Sequence, residues 1–359
     1  MRIAILHDYF DKRGGGERLV INLAKALKAD IFTGYIKREK TFGAKGIKIV
    51  ELGINSRLPA GLRHVAIARA FEKYKFPKYD CYLFSGIWCV TAAKNNHPNV
   101  FYCHTPPRYM YDLKNYFLSE SNPIKRMALK SLISYWKPKD KYYMNFFDVI
   151  CPNSENVKMR IKKFYGENTY RKCHVVYTGI DTKKFYHDKS EEFYLATQRL
   201  DKLKRLDLII NAFKKMPDKK LVITGTGPEE KFLKRLTEGS KNIEFTGVVS
   251  EERLLELYAR CNATITAPID EDLGLSAIES QAAGKPVVAI REGGLLETVR
   301  DGKTGVFFEP NVKSLIKAVN QIEKKRWNKN VIKKNAARFD IKVFEKTIKN
   351  MIKISLKTA

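Results

Sequence analysis

Acidic residues are scarce in this chain relative to basic ones. Over 359 residues, 39 Asp and Glu stand against 67 Lys and Arg, a formal charge of +28. An excess of that size speaks to partners and solubility rather than to fold. It favours nucleic acid, an anionic membrane surface or phosphorylated substrates, although amino-acid usage alone also produces Lys-rich surfaces. Paired cysteines are missing too. The six cysteines, Cys81, Cys89, Cys103, Cys151, Cys173 and Cys261, form no C-x-x-C and no metal-ligand spacing. They stand among apolar neighbours, as in FYCHTP and DVICPN, where a free thiol behaves as a small hydrophobe. No run is long enough to span a bilayer. The opening MRIAILHDYF is too short and too strand-like for a signal peptide. A cytoplasmic protein is expected from these features. No zinc-finger or RNP-like signature accompanies the charge, so a nucleic-acid-binding reading rests on +28 alone, and salt-sensitive DNA or RNA binding is its discriminator.

At this length two domains are expected, and a 44% hydrophobic content suits a globular protein. IAILHDY reads as a buried parallel strand, followed by a glycine turn and the helix-spaced LVINLAKALKA. YDCYLFSG, NVFYCHT and FDVICPNS repeat the strand pattern. A second series contains EFYLATQR, KKLVITGTG, NIEFTGVV, ATITAPI, KPVVAI and GVFFEP, most of them separated by helical stretches. The alternation predicts an α/β chain of two doubly wound, Rossmann-like domains. Their expected spans are 1–187 and 188–340, with a closing helix over 341–359 that packs back on the first. There is no internal repeat and no low-complexity tract. Open α/β sheets bind ligands at the carboxyl ends of their strands, so two such domains facing a cleft would both contribute residues.

Several turns after strands carry candidate chemistry. GGGER, Gly14–Arg18, lets backbone N–H groups approach an anion at a helix start, or is only a tight turn. It lacks G-x-G-x-x-G spacing, and no G-K-[ST] signature occurs. In TGTGPEE, Pro228 suits a first helical turn and Glu229 and Glu230 complement the dipole, so structure alone explains it. Arg199 and Lys204 follow a strand closely enough to neutralise a diphosphate together, or are solvated surface charge. YCHTPPRYMYD places His104 at a strand end amid Arg108, Tyr109 and Asp112, where an imidazole could donate to a sugar hydroxyl or move a proton. In APIDEDLGLSAIESQAAGKPVVA, Glu271 lies in a turn and Glu279 about two helical turns further on. If a diphosphate caps that helix, a sugar on one side and a ribose on the other would satisfy both acids.

Taken together, GGGERLV, YCHTPPRYMYD, RLDKLKRLD, ITGTGPEE, IEFTGVVSEERLLELYARC, the E-x7-E of Glu271 and Glu279, QAAGKPVVA and REGGLLETVRDGKTGVFF resemble the retaining glycosyltransferases of family 4, which have the GT-B fold. YCHTPPRYMYD is most similar to mannosyltransferases of O-antigen and polysaccharide assembly. The resemblance implies that Glu271 binds donor-sugar hydroxyls and Glu279 the ribose. It gives Arg199 and Lys204 the departing diphosphate. Gly274, Leu275 and Ser276 would offer backbone contacts, Gly15 and Gly16 would approach the reaction centre, and His104 would contact the sugar. The backbone near Val248 would bracket the base. One departure is TQR, where a glycine often precedes the arginine. Family members pass through an oxocarbenium-like state in which the leaving phosphate deprotonates the acceptor, so no protein nucleophile is assigned. The GT-B pattern needs no D-x-D metal site and no convincing one is found, no cofactor is implied and no essential metal is expected. The implied donor is a nucleotide sugar, with mannose from GDP-mannose preferred. UDP-linked glucose, galactose or N-acetylhexosamine, and a GT-B nucleotide-sugar epimerase, stay open.

Two basic segments bear on the acceptor. RLPAGLRHVAIARAFEKYKFPKY and IKRMALKSLISYWKPK interleave Lys and Arg with Met127, Leu129, Leu132, Tyr135 and Trp136. They can lie on an anionic bilayer, or turn their apolar residues to a core. Arg108, Tyr109 and Asp112 are expected on the acceptor side. The membrane reading predicts a peripheral protein at the inner face of the cytoplasmic membrane, acting on a lipid-linked or glycan acceptor, with no nucleic acid involved.

Overall fold

The computed structural model describes residues 1–11, 14–37 and 45–358. It divides into two compact units, Met1–Val176 with Glu345–Ala359, and Tyr177–Phe344. The segment 177–187 groups with the second unit, where Ile180 bridges Asp340. From the closing helix Ile341–Thr358, Ser355 lies 3.9 Å from the Cys81 thiol of the first unit.

The first unit holds six parallel strands: β1 (Ile3–His7), β2 (Asp30–Thr33), β3 (Ile49–Glu51), β4 (Cys81–Ser85), β5 (Asn99–Cys103) and β6 (Val149–Pro152), in the order β3-β2-β1-β4-β5-β6. Continuous apolar runs make β1, β4, β5 and β6 buried along their whole length, as strands covered on both faces must be. β2 and β3 have no counterpart in the sequence reading. DIFT opens on an acid, and IVE is a three-residue edge strand with no fully buried residue.

The second unit repeats the plan with β7 (Phe193–Thr197), β8 (Lys220–Thr224), β9 (Ile243–Gly247), β10 (Ala263–Thr266), β11 (Val287–Ile290) and β12 (Gly305–Phe308), in the order β12-β11-β10-β7-β8-β9. All six were legible as strands. In each unit the chain order reverses between the first and fourth strands, β1 beside β4 and β7 beside β10. Such reversals open a crevice beyond the carboxyl ends, where doubly wound sheets take their ligands.

All six cysteines are buried and free. No helix among the described residues is long and apolar enough to cross a membrane.

Candidate active site

In the second unit, the loops after β7 and β10 are laced together across the chain reversal. Ile269 N–H donates to the Leu203 carbonyl at 2.8 Å. Beside this bond the Lys204 ammonium lies 2.5 Å from Glu271 Oε2. The sequence expected these two side chains to hold different parts of one ligand; in the structure they hold each other. Both are only about a quarter exposed, where ion pairs are screened less than in open water. Lys204 ends a short 3-10 turn, Lys202–Lys204, just before the helix Leu206–Phe213. Arg199 is 69% exposed, its guanidinium 3.7 Å from the Asp201 carboxylate.

The helix Leu275–Ala282 starts directly after Gly274 and has no side-chain cap. Gly274 has φ +87, and a Cβ there would come 2.6 Å from Leu295 Cδ2. A glycine is therefore required both by the backbone and by its neighbour. Leu275 and Ser276 form the uncapped first turn, whose N–H groups have no acceptor within the helix. Glu279 lies further along, with Oε2 accepting the Tyr258 hydroxyl at 2.6 Å. Burial and the neighbouring Glu279 push the Tyr258 phenol well above its usual range, so it stays a donor. Val248 follows β9 and is 76% exposed.

The turn TGTGPEE has a structural role. A Cβ on Gly225 would sit 2.3 Å from the Gln198 carbonyl, and one on Gly227 2.2 Å from that of Leu200. These glycines let the turn press on the loop that carries Arg199. Pro228, expected in the first helical turn, precedes the helix Glu230–Leu236.

In the first unit, the reversal between β1 and β4 is occupied by a chain of polar side chains. His7 Nδ1 lies 2.5 Å from the Ser85 carbonyl, and Ser85 Oγ lies 3.2 Å from His104 Nε2. His104 is pushed down to about 4, first by burial and then by the neighbouring His7. Its imidazole is therefore neutral at physiological pH. A Cβ on Gly16 would come 4.0 Å from His104 Nε2, whereas one on Gly15 would meet nothing within 4 Å. The fold thus brings His104 to the start of the helix Gly15–Leu27. Lys12 and Arg13 of that turn lie outside the described residues.

Arg108 and Asp112 pair with each other, Nη2 to Oδ2 at 2.8 Å and Nε to the same oxygen at 3.0 Å. The Tyr109 hydroxyl is buried without a hydrogen-bond partner among the described residues. Its phenol is pushed up by burial, with Asp140, Asp8 and Tyr9 adding to the effect.

Three residues escaped sequence reasoning. Asp8 accepts the backbone N–H groups of Ile87, Trp88 and Cys89 at 2.7, 2.9 and 2.8 Å and fixes the loop after β4. Tyr258 holds Glu279, and Glu292 contacts the loops bearing Lys204 and Glu271. The only available signals were an acid closing the IAILHDY run and another just before a glycine pair. Among the described residues, no group of three or more His, Cys, Asp or Glu could hold a metal ion.

The basic segments divide between core and surface. In the helix Pro123–Met144, Ile133 and Trp136 are buried, and Leu129 and Leu132 pack partly on the core. Ile124 and Met127 are 77% and 68% exposed, and Tyr135 is exposed as well. Trp136 thus follows the core-facing alternative, while Ile124 and Met127 stay outward. Beside this helix lies a groove of about 840 Å³ whose lining includes Lys114, Lys130, Lys137 and Lys141 together with Leu118 and Ile133.

Comparison with known proteins adds to this geometry. Residues 13–184 match Glycosyltransferase Family 4, and residues 179–339 match Glycosyl transferases group 1. The chain is similar to the α-1,3/1,6-mannosyltransferase ALG2 of Dictyostelium discoideum, with 26% identity over 90% of this chain and 89% of the other. It is also similar to a GDP-mannose-dependent α-(1-6)-phosphatidylinositol monomannoside mannosyltransferase of Mycolicibacterium smegmatis, with 34% identity over 35% of this chain and 40% of the other. Among solved structures, Anabaena Alr3699/HepE in complex with UDP superposes with a TM-score of 0.74 at 18% identity, over 98% of this chain and 100% of that one.

Proposed function

Since the chain belongs to glycosyltransferase family 4 and has the GT-B fold, which makes it a hexosyltransferase, we propose that it moves mannose from GDP-mannose, with retained anomeric configuration, to a lipid-linked or glycan acceptor. The observation that carries the site assignment is the Lys204–Glu271 pair beside the uncapped start of the helix Leu275–Ala282. A cation, a carboxylate and a helix N-terminus together suit a ligand that joins a diphosphate to a polyol. The incoming diphosphate exchanges partners with the pair: Lys204 turns to phosphate oxygen, and Glu271 is released to accept sugar hydroxyls. Arg199, exposed and earlier in the same loop as Lys204, adds a second cation. Glu279, already oriented by Tyr258, accepts the ribose hydroxyls, and the backbone near Val248 brackets the base.

In transfer, the bond from the anomeric carbon to the diphosphate oxygen breaks and a bond to the acceptor oxygen forms. The acceptor proton passes to the departing diphosphate. Lys204, Arg199 and the helix N–H groups stabilise the charge that develops there, so the leaving group needs no metal ion. His104 is neutral and offers the sugar a hydrogen bond rather than a charge. Arg108, Tyr109 and Asp112 are assigned to the acceptor.

The mannose assignment is supported by the mannosyltransferase activities of the Dictyostelium and Mycolicibacterium relatives. A UDP-sugar reading is favoured by the UDP complex of the Anabaena protein. Nucleoside diphosphate release from GDP-mannose and from UDP-hexoses, with the product anomer read by NMR, separates the two. Mannose transfer with an α product supports the first; preference for a UDP-hexose replaces it, and an inverted product removes the retaining mechanism.

The four-lysine groove and the exposed Ile124 and Met127 support peripheral docking to an anionic bilayer, each basic residue adding about 1 kcal/mol near such a surface. Sedimentation with phosphatidylglycerol vesicles at low salt tests it, and equal recovery with neutral vesicles removes it.

A further inference from the structure

Of the described non-glycine residues, only Lys28, Arg205 and Asp270 have positive φ. Lys28 caps a helix, where the left-handed conformation is common. The other two flank the site: Arg205, φ +47, directly follows Lys204, and Asp270, φ +46, directly precedes Glu271. Side chains avoid this region unless the surroundings impose it. One carboxylate touches both. Glu292 Oε1 accepts Arg205 Nη1 at 2.8 Å, and Glu292 Oε2 accepts the Asp270 backbone N–H at 3.2 Å.

We propose that Glu292 is the positioning residue for the Lys204–Glu271 pair, clamping the residue after Lys204 and the residue before Glu271 with its two carboxylate oxygens. Its own backbone supports that task. Glu292 follows β11, and Gly293 and Gly294 press the turn against the Glu271 loop. Gly294 N–H donates to the Glu271 carbonyl at 2.7 Å, and a Cβ on Gly293 would lie 2.6 Å from that same oxygen. Three loops are thereby joined around one ion pair: those after β7, β10 and β11.

The clamp also settles which cation reaches Glu271. Lys204 and Arg205 are adjacent in sequence, and a guanidinium is the stronger bidentate partner for a carboxylate. With Arg205 held by Glu292, Glu271 is left to the single-point ammonium of Lys204. A lysine contact is easier for an incoming diphosphate to exchange than a forked arginine contact. Removing Glu292 releases Arg205 to compete for Glu271 and leaves the Asp270 N–H without this acceptor.

The catalytic value of this positioning rests on the roles given above to Lys204 and Glu271; the positioning itself does not. It is tested on the full chain by a double-mutant cycle in thermal unfolding, with Lys204→Ala, Glu271→Ala and the pair, each in the wild-type and Glu292→Ala backgrounds. In the wild-type background the double variant is expected to lose less than the sum of the single losses, by on the order of 2 °C in Tm. In the Glu292→Ala background that non-additivity is expected to vanish. Glu292→Gln, which keeps an acceptor for Asp270 N–H, should retain part of it, and replaces Glu292→Ala if the latter does not fold. A purely structural Glu292 would lower every Tm and leave the non-additivity intact; that result, or none in the wild type, overturns the proposal. A wild-type protein that binds neither GDP nor UDP would instead overturn the functional reading, and the cycle would still decide the role of Glu292.

Discussion

At the carboxyl ends of their strands the two units treat charge differently. In the first unit, the acid nearest the chain reversal, Asp8, is buried and consumed by three backbone N–H groups. What remains there is a chain from His7 through Ser85 to His104, whose imidazole is held neutral by burial. In the second unit, the corresponding place holds half-buried ion pairs, Lys204 with Glu271 and Arg205 with Glu292. A carboxylate satisfied by backbone cannot be released without dismantling its loop. A lysine satisfied by a carboxylate can be taken over by another anion. The first unit thus presents a hydrogen-bonded chain with its acid held by backbone, and the second an exchangeable ion pair, as expected if only the second meets the diphosphate.

The comparison can be broken most forcefully at Glu271. Glu271→Ala should lower transfer by about 10²–10³-fold with the fold intact, because the side chain lies in a loop rather than a core. Near-normal turnover in a steady-state assay would end its assigned role. Lys204→Ala is expected to cost about tenfold to a hundredfold in kcat/KM and to weaken nucleoside diphosphate binding in the same titration.

Gly274→Ala comes next and acts on structure first. A side chain at φ +87 and 2.6 Å from Leu295 should cost about 1–3 kcal/mol, seen as a lower denaturation midpoint. The neutral state of His104 is tested by pH. Burial holds His104 near 4 in the folded chain against 6.5 when unfolded, so the unfolded state binds the proton more readily. The stability associated with a neutral His104 is full above pH 6.5 and declines as pH falls towards about 4, whereas His104→Ala should flatten that decline. Asp140 has the opposite sign, raised to about 6 mainly by burial, with its bonds from Tyr111 and Tyr165 only partly offsetting. Its stabilising influence is lost as pH rises through about 6, and Asp140→Asn should narrow the loss in denaturation midpoint between pH 5 and pH 8. Tyr258→Phe is the mildest change, expected to raise the donor KM a few-fold through loss of one hydrogen bond to Glu279.

The difference between the units also explains what the sequence made legible. Every strand of the second unit was visible because most are short, largely apolar runs, and β9 alternates apolar with polar residues, each closed by a glycine, proline or charged turn. In the first unit, β2 and β3 escaped notice because four residues opening on Asp30, and three at a partly exposed edge, show no periodicity. Residue types near the site were legible only as a set, since a glycine turn after a strand also has a structural use, as in TGTGPEE. Pairings were not. That Lys204 meets Glu271, 67 residues away, depends on β7 lying beside β10, which strand spacing alone does not specify. Glu292 was hidden for the same reason, since its partners are 87 and 22 residues distant. Trp136 sat in a basic stretch that suggested a surface, but the helix turned it inward.

The central claim is that the second unit's lysine–carboxylate pair opens to receive a nucleoside diphosphate. Calorimetric titration of the purified chain with GDP and with UDP, in EDTA, alongside Lys204→Ala, tests it most directly. The account predicts metal-independent binding, tighter for GDP, that weakens at least tenfold in the variant, the size expected for loss of a charge-assisted contact to phosphate. Equal affinity in wild type and variant would contradict it.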